Sequence, residues 1–298
     1  MASPASWRQA FLDDRRPMEP TATEVNASLR PLENVRAVIF DVYGTLVISG
    51  SGDVGSADSD GDGRDAIMAD AIASVWGDSS PDPMPGIEQL QQQIRSTNAA
   101  RVSDQCPQPE VDIVDVWRHT MADSGVDVTP EDNDRLLRLA ASYEAQANPT
   151  WPMPGAQKLL SELNTSGIRM GIVSNAQFFS PSLVEDLLDG SSLDQGGFDL
   201  NCCVFSNRFR HAKPGPKLFD VLRNGLARVG IAPHEAVYVG NDMLNDIWAA
   251  SMAGLKTAWF AGDGRSCRPR QNDPRCRSLR PDVVLTDLLQ LLSCLQSI

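Results

Sequence analysis

The 298-residue chain carries 39 acidic against 26 basic side chains, a net charge of −13, which argues against nucleic-acid or anionic-membrane binding, since both need a basic surface. Its 42% hydrophobic content supports a proper core, and no apolar run approaches the roughly 20 residues that span a bilayer. Six cysteines are too sparse for a disulfide scaffold, and residues 1–16 lack the pattern of a signal peptide, so a cytoplasmic protein is expected, with Cys267 and Cys276 as free thiols.

Residues 1–34 are polar, contain proline and show no clear periodicity, which predicts a flexible N-terminal extension. Ala37 to Phe40 (Ala-Val-Ile-Phe) reads as a buried parallel strand. It ends on Asp41 and meets Gly44, where the chain can turn sharply. Ser49 to Asp65 is dense in Gly, Ser and Asp and predicts a loop. Within it, Asp58, Asp60, Asp62 and Gly63 match the opening of a calcium-binding EF-hand loop, but the twelfth position is Ala69 where a bidentate Glu is needed. A solvated acidic loop is expected there. From Ala66 to Ala147 the period is helical: Ile67, Ala71, Ile72 and Val75 share a face, then Ile87, Leu90 and Ile94, then Val114, Val116 and Trp117, then Leu136, Leu137, Leu139 and Ala140.

The pattern then turns to alternating strands and helices. Met170 to Val173, Cys202 to Phe205, Ala236 to Val239, Thr257 to Phe260 and Val283 to Leu285 read as strands. Helices are predicted over Leu159–Leu163, Phe179–Leu188 (with Ser180 or Ser182 as cap), Leu218–Leu222, Asn245–Ala253 and Leu288–Leu295. Strands alternating with helices of this length imply a parallel sheet with right-handed crossovers. The predicted organisation is an α/β core over residues 35–49 and 150–298, divided by an all-helical insert over 50–149.

Four strands lead into polar residues: Asp41, then Ser174-Asn175, then Lys213, then Asn241-Asp242 with Asp246. In a parallel sheet the carboxyl ends face one crevice, so these groups are expected to converge. The set is chemically coherent. A carboxylate can attack an electrophile and form a covalent intermediate that water resolves. Several carboxylates together repel and call for a cation. Lys213 can hold an anionic group, Ser174 and Asn175 can donate to the same anion, and Asp242 and Asp246 with Asp41 are hard ligands suited to Mg2+.

On these residues the chain resembles the haloacid dehalogenase superfamily of hydrolases over residues 36–295, the insert standing in the place of that family's helical cap. The resemblance implies a Rossmann-like sheet with a mobile lid, Asp41 as nucleophile, Thr45 as its support, Ser174 and Asn175 as the second motif and Lys213 as the third. Asp242 and Asp246 match the acidic fourth motif, and Tyr43 and Asn175 are expected to touch a small anionic substrate. Two departures matter. Phosphatases of the family place a general-acid Asp where this chain has Tyr43, and Tyr there resembles the 2-haloacid dehalogenases, whose halide leaves without a proton. The commoner metal-binding pattern places Asp directly after Gly, where this chain has Asn241. The acidic fourth motif ranks Mg2+-dependent phosphate-ester hydrolysis ahead of dehalogenation; a fold that binds an anion without turnover is the alternative from another class. Arg64, Arg95, Arg101 and Arg118 are candidates for a halide cradle, and Arg208, Arg210 and His211 form a basic cluster beside Lys213.

Overall fold

The strand Ala37–Phe40 (β1) forms where the apolar run predicts it, with all four side chains buried. Val38 and Phe40 join one apolar cluster, while Ala37 and Ile39 join another on the opposite face. That is the period of two of a pleated strand. A strand buried on both faces needs helices on both sides. The computed structural model describes residues 5–12, 15–51 and 61–295.

In chain order, helix Ala5–Leu12 (α1) precedes β1, and a short strand Val47–Ser49 (β2) follows it. Four helices come next: Gly61–Trp76 (α2), Ile87–Ala99 (α3), Ile113–Asp123 (α4) and Asn133–Ala147 (α5). The strand Thr150–Pro152 (β3) returns antiparallel to β2. Then come helix Ala156–Thr165 (α6), strand Arg169–Ser174 (β4), helix Ser180–Leu187 (α7), strand Phe198–Phe205 (β5), the short helix Ser206–Phe209 (α8) and helix Pro216–Arg228 (α9). Strand Ala236–Gly240 (β6) runs into a π-helical turn, Met243–Trp248, continued by helix Ala249–Met252 (α10). Strands Lys256–Phe260 (β7) and Val283–Leu285 (β8) and helix Gln290–Cys294 (α11) close the chain.

Six strands form one parallel sheet in the order β5-β4-β1-β6-β7-β8. The chain winds from β1 to one edge through β4 and β5, then to the other through β6, β7 and β8. β1 therefore lies at the switch point, where open α/β sheets leave a crevice at their carboxyl ends. Leu159, Leu163, Leu183, Leu187 and Leu291 cover one face with Val38 and Phe40. Leu218, Leu222, Leu226 and Ala250 cover the other. Each such side chain contributes roughly 1.5–3 kcal/mol when fully buried.

The helices α2 to α5 pack round their own centre of Met68, Ile72, Trp117, Leu136 and Leu139. Trp117 meets Tyr143 edge-on, with ring centroids 5.4 Å apart. Asp112 caps α4 by accepting from the Val114 N–H at 3.0 Å. The chain leaves for these helices along β2 and returns along β3, a two-stranded neck that sequence patterning missed because each strand has only three residues. The α2 helix begins at Gly61, earlier than the predicted Ala66. Asp58 and Asp60 of the calcium-like stretch lie outside the described residues.

The N-terminal segment departs from the flexible extension expected. Phe11 is 1% exposed and its ring lies 4.7 Å from that of Phe179. Arg8 pairs with Glu185 at 2.7 Å and Arg15 with Asp186 at 2.5 Å. Further on, Thr21 donates through its N–H and its hydroxyl to Asp263, both at 2.9 Å, and Ser28 exchanges main-chain hydrogen bonds with Val284. A few long-range anchors hold a polar segment that has no internal periodicity to reveal them. The capping expectation for α7 also fails. Ser182 donates instead to the Phe179 carbonyl at 2.6 Å, and Ser180 faces Tyr43.

Candidate active site

The turn after β1 sets the position of Asp41. Gly44 has φ +74°, and a Cβ there would lie 2.5 Å from the Cβ of Ser266 and 2.8 Å from Nδ2 of Asn241. Only glycine fits so close a passage. The Asp41 N–H donates to the Val239 carbonyl at 2.9 Å, and the side chain is 11% exposed. Lys213 reaches it from the segment after β5. Its Nζ donates to Asp41 Oδ1 at 2.9 Å, to Tyr238 Oη at 3.0 Å and to Asp246 Oδ1 at 2.5 Å. An ammonium has three N–H bonds, and these acceptors use all of them. Lys213 therefore neutralises the site's own carboxylates, where the sequence suggested a free donor for the substrate. Burial alone would favour the neutral amine, but Asp246 and Asp41 outweigh it and raise the ammonium above the ordinary lysine value. Burial, with Asp41 and Asp242 nearby, holds the Asp246 carboxyl above the usual range against the pull of Lys213.

Tyr238, absent from the sequence-derived set, completes this core. Its hydroxyl donates to the Val173 carbonyl at 2.6 Å and lies 3.1 Å from Asp246 Oδ1. It is an inward residue of a buried strand, and nothing in the period of two distinguishes it from packing. At the end of β4, Ser174 is buried and its hydroxyl donates to the Asn175 carbonyl at 3.2 Å. Asn175 accepts from the Lys213 N–H at 2.8 Å. Its expected place on the substrate is thus taken by a structural one, fixing the backbone that carries Lys213.

The fourth segment is held from several sides. Gly240 has no side chain because Asp246 occupies the space: a Cβ there would lie 2.5 Å from its Cγ. Thr45 donates to Asn241 Oδ1 at 3.2 Å, and Asn241 Nδ2 donates to the Ser266 carbonyl at 2.6 Å. Thr45 thus ties the first motif to the fourth. Asp242 caps the π-helical turn, with Oδ1 accepting from the Leu244 and Asn245 N–H groups at 2.8 and 3.1 Å. Arg270 clamps the same carboxylate, its Nη2 lying 2.6 Å from Oδ2. Arg270 comes from the loop between β7 and β8, where an Arg- and Pro-rich composition gave no sign of such a role. The Mg2+ expected on Asp41, Asp242 and Asp246 does not fit these donors. Asp242 is occupied by Arg270 and its own helix turn, and Asp246 by Lys213 and the Asp242 N–H. Among the described residues no three His, Cys, Asp or Glu side chains gather as a metal cluster.

Tyr43 is 4% exposed, and its hydroxyl shares a 2.9 Å hydrogen bond with Ser180 Oγ. Burial, then the nearby Glu144, push the phenol well above its ordinary value. Just after Asp41, the main-chain N–H groups of Val42 and Tyr43 make no hydrogen bond among the described residues, which suits them to anionic oxygens. The arginines of the insert separate by place. Arg64 lines a cavity of about 60 Å³ with Ile87, Leu90, Ile113, Tyr143 and Glu144. Arg95 is engaged with Glu88, Arg118 with Asn133, and Arg101 with the carbonyls of Glu110 and Arg210. The basic cluster faces the insert as well. Arg210 pairs with Asp112 and Asp115 at 3.1 and 3.0 Å, Arg208 lies over the Phe205 ring, and His211 bridges to Pro109.

A parallel sheet with a carboxylate, a buried lysine and an acidic segment at its switch point defines a class, and comparison names it. The profile of the haloacid dehalogenase-like hydrolases matches residues 35–254, and the chain belongs to that family. It is a hydrolase. It is 29% identical over 176 residues to a phosphoserine phosphatase of Thermus thermophilus, covering 59% of this chain and 62% of that one. It is 30% identical over 145 residues to a glyceraldehyde 3-phosphate phosphatase of Pyrococcus furiosus, covering 48% and 54%. The chain thus spans less than two thirds of the length of either relative. The crystal structure of a 2-haloacid dehalogenase from Pseudomonas syringae pv. Tomato shares the fold, with a TM-score of 0.57 at 20% identity over 87% of this chain and 97% of that one. Among the described residues no helix is long and apolar enough to cross a membrane.

Proposed function

We propose that Asp41 is a covalent nucleophile toward a small anionic substrate whose leaving group departs without a proton, the 2-haloacid class. Asp41 Oδ2 forms a bond to the substrate carbon while the carbon–halogen bond breaks and its electron pair leaves with the halide. Water then attacks the ester so formed at Asp41, releasing the hydroxy acid and a proton and restoring the carboxylate. Lys213 holds Asp41 in place, and the amides of Val42 and Tyr43 receive the substrate's own carboxylate. The helices of residues 50–149 act as a cap that excludes water from the crevice. The observation that carries this reading is the Tyr43 hydroxyl, held by Ser180 Oγ at 2.9 Å in the position of a general acid. A group so buried, with its proton shared, is a poor acid for an alkoxide. This reading reverses the ranking drawn from sequence. The six cysteines are free thiols, which suits action in the cytoplasm.

Hydrolysis of a small phosphate ester is the second reading, favoured by the phosphatases among the relatives. Halide release from 2-chloropropionate, measured beside phosphate release from p-nitrophenyl phosphate, separates the two. Halide release should be lost in Asp41→Asn. A single turnover in heavy-oxygen water with enzyme in excess should label the peptide bearing Asp41 and leave the product unlabelled. Label appearing directly in the product would refute a covalent intermediate, and phosphate release without halide release would establish the second reading.

A further inference from the structure

Three carboxylates, Asp41, Asp242 and Asp246, meet two cations of the chain itself, Lys213 and Arg270. The neighbour that would add a fourth carboxylate is an amide, Asn241. All three are paired at close range: Asp242 with Arg270 at 2.6 Å, and Asp246 and Asp41 sharing Lys213 at 2.5 and 2.9 Å. Three negative charges against two positive leave a surplus of one, carried by the pair that shares Lys213. Donor capacity leads to the same end. A carboxylate offers about four acceptor positions. On Asp242, Oδ1 receives two main-chain N–H groups and the Arg270 Nε at 3.2 Å. Its Oδ2 receives the Arg270 Nη2 and the Asn245 amide at 3.2 Å. The carboxylate is 7% exposed. A divalent ion would have to displace a bidentate guanidinium and unwind the cap of the π-helical turn.

We propose that this chain has replaced the family's divalent cation with its own side chains, Arg270 closing Asp242 to metal while Lys213 neutralises Asp246 beside the nucleophile. Asn241 completes the change. Its Nδ2 lies 2.6 Å from the Ser266 carbonyl, so an Asp there would turn an oxygen against that carbonyl. The loop between β7 and β8 thus acts on the fourth motif: Arg268 pairs its main chain with Asn241 and Met243, and Arg270 covers the carboxylate between them.

The test is metal binding, which needs no substrate and is independent of the proposed reaction. Mn2+ titration followed by electron paramagnetic resonance, and melting in millimolar Mg2+ against matched ionic strength, should show no stoichiometric site and no Tm rise in the wild-type protein. Arg270→Gln with Asn241→Asp frees one carboxylate and adds another, and should bind Mn2+ at least roughly tenfold more tightly than wild type. Stoichiometric submillimolar binding by the wild-type protein, lost in Asp41→Asn, would overturn the proposal. A folded double variant without binding would overturn the part given to Arg270 and Asn241. Should that variant not fold, Arg270→Gln alone carries the comparison, with the wild-type titration still decisive.

Discussion

Replacing Lys213 with Met tests the electrostatics of the whole site. The side chain is 2% exposed and its Nζ lies 2.9 Å from Asp41 and 2.5 Å from Asp246. At an effective dielectric of about 20, each contact amounts to about 6 kcal/mol of Coulomb energy. Desolvation of the three groups offsets most of this, and removing one partner of a buried pair costs about 3–5 kcal/mol net. For a chain of this size that corresponds to a fall in Tm on the order of 10 °C. The loss should depend on pH, because Asp246 can relieve it by taking a proton. Its folded pKa is already raised by burial, and without Lys213 it rises further. An acid raised in the folded state stabilises below its unfolded pKa, near 4, and that contribution is lost as pH rises through the folded value. Melting of Lys213→Met should therefore lie far below wild type at about pH 8 and less far at about pH 5. Adding Asp246→Asn should recover part of the deficit at the higher pH. A variant as stable as wild type at the higher pH, or one equally impaired at both, would refute the claim that Lys213 compensates two buried carboxylates.

Tyr43→Phe removes the hydrogen bond to Ser180 and should cost about 1 kcal/mol of stability, while halide release stays within about threefold of wild type; a hundredfold loss of kcat would mean the phenol takes part in the chemistry. Gly44→Ala combines a positive φ with a Cβ 2.5 Å from Ser266 and should cost about 2 kcal/mol or more by urea unfolding, so an unchanged midpoint would place the turn elsewhere. Glu144 lines the insert's cavity, and burial, opposed by Asn148 and Arg64, raises its carboxyl. Its stabilising effect is then present at low pH and lost as pH rises through the folded pKa, so Glu144→Gln should raise Tm at neutral pH and leave it unchanged in acid. A Tm that falls at neutral pH would show that the charge there is compensated.

Much of the site could be read from the chain because strand ends are local features. An apolar run that stops on a polar residue marks the edge of a buried strand, and a parallel sheet points all such edges the same way. Asp41, Ser174, Lys213 and Asp246 are expected at one crevice on that basis, and Lys213 does bond Asp41 and Asp246 directly. The helical insert was equally legible from its period, since each helix presents one apolar stripe to Trp117 and its neighbours.

What the chain could not reveal is how each polar group is satisfied. Asp242 reads as a metal ligand until Arg270, from a loop with no pattern of its own, is seen to hold it. Tyr238 reads as packing until its hydroxyl is found between Lys213 and Asp246. The Tyr43 hydroxyl and the Asn175 side chain read as substrate contacts until Ser180 and the Lys213 backbone are seen to engage them. Periodicity reports which face of an element is buried, and so the linear order was enough to determine the sheet, the helices of the insert and the place of Asp41 at the end of β1. A hydrogen bond or ion pair between distant segments depends on distances of a few ångströms that only the packed chain sets. Tertiary structure therefore decided which cation meets each carboxylate: Lys213 for Asp41 and Asp246, Arg270 for Asp242.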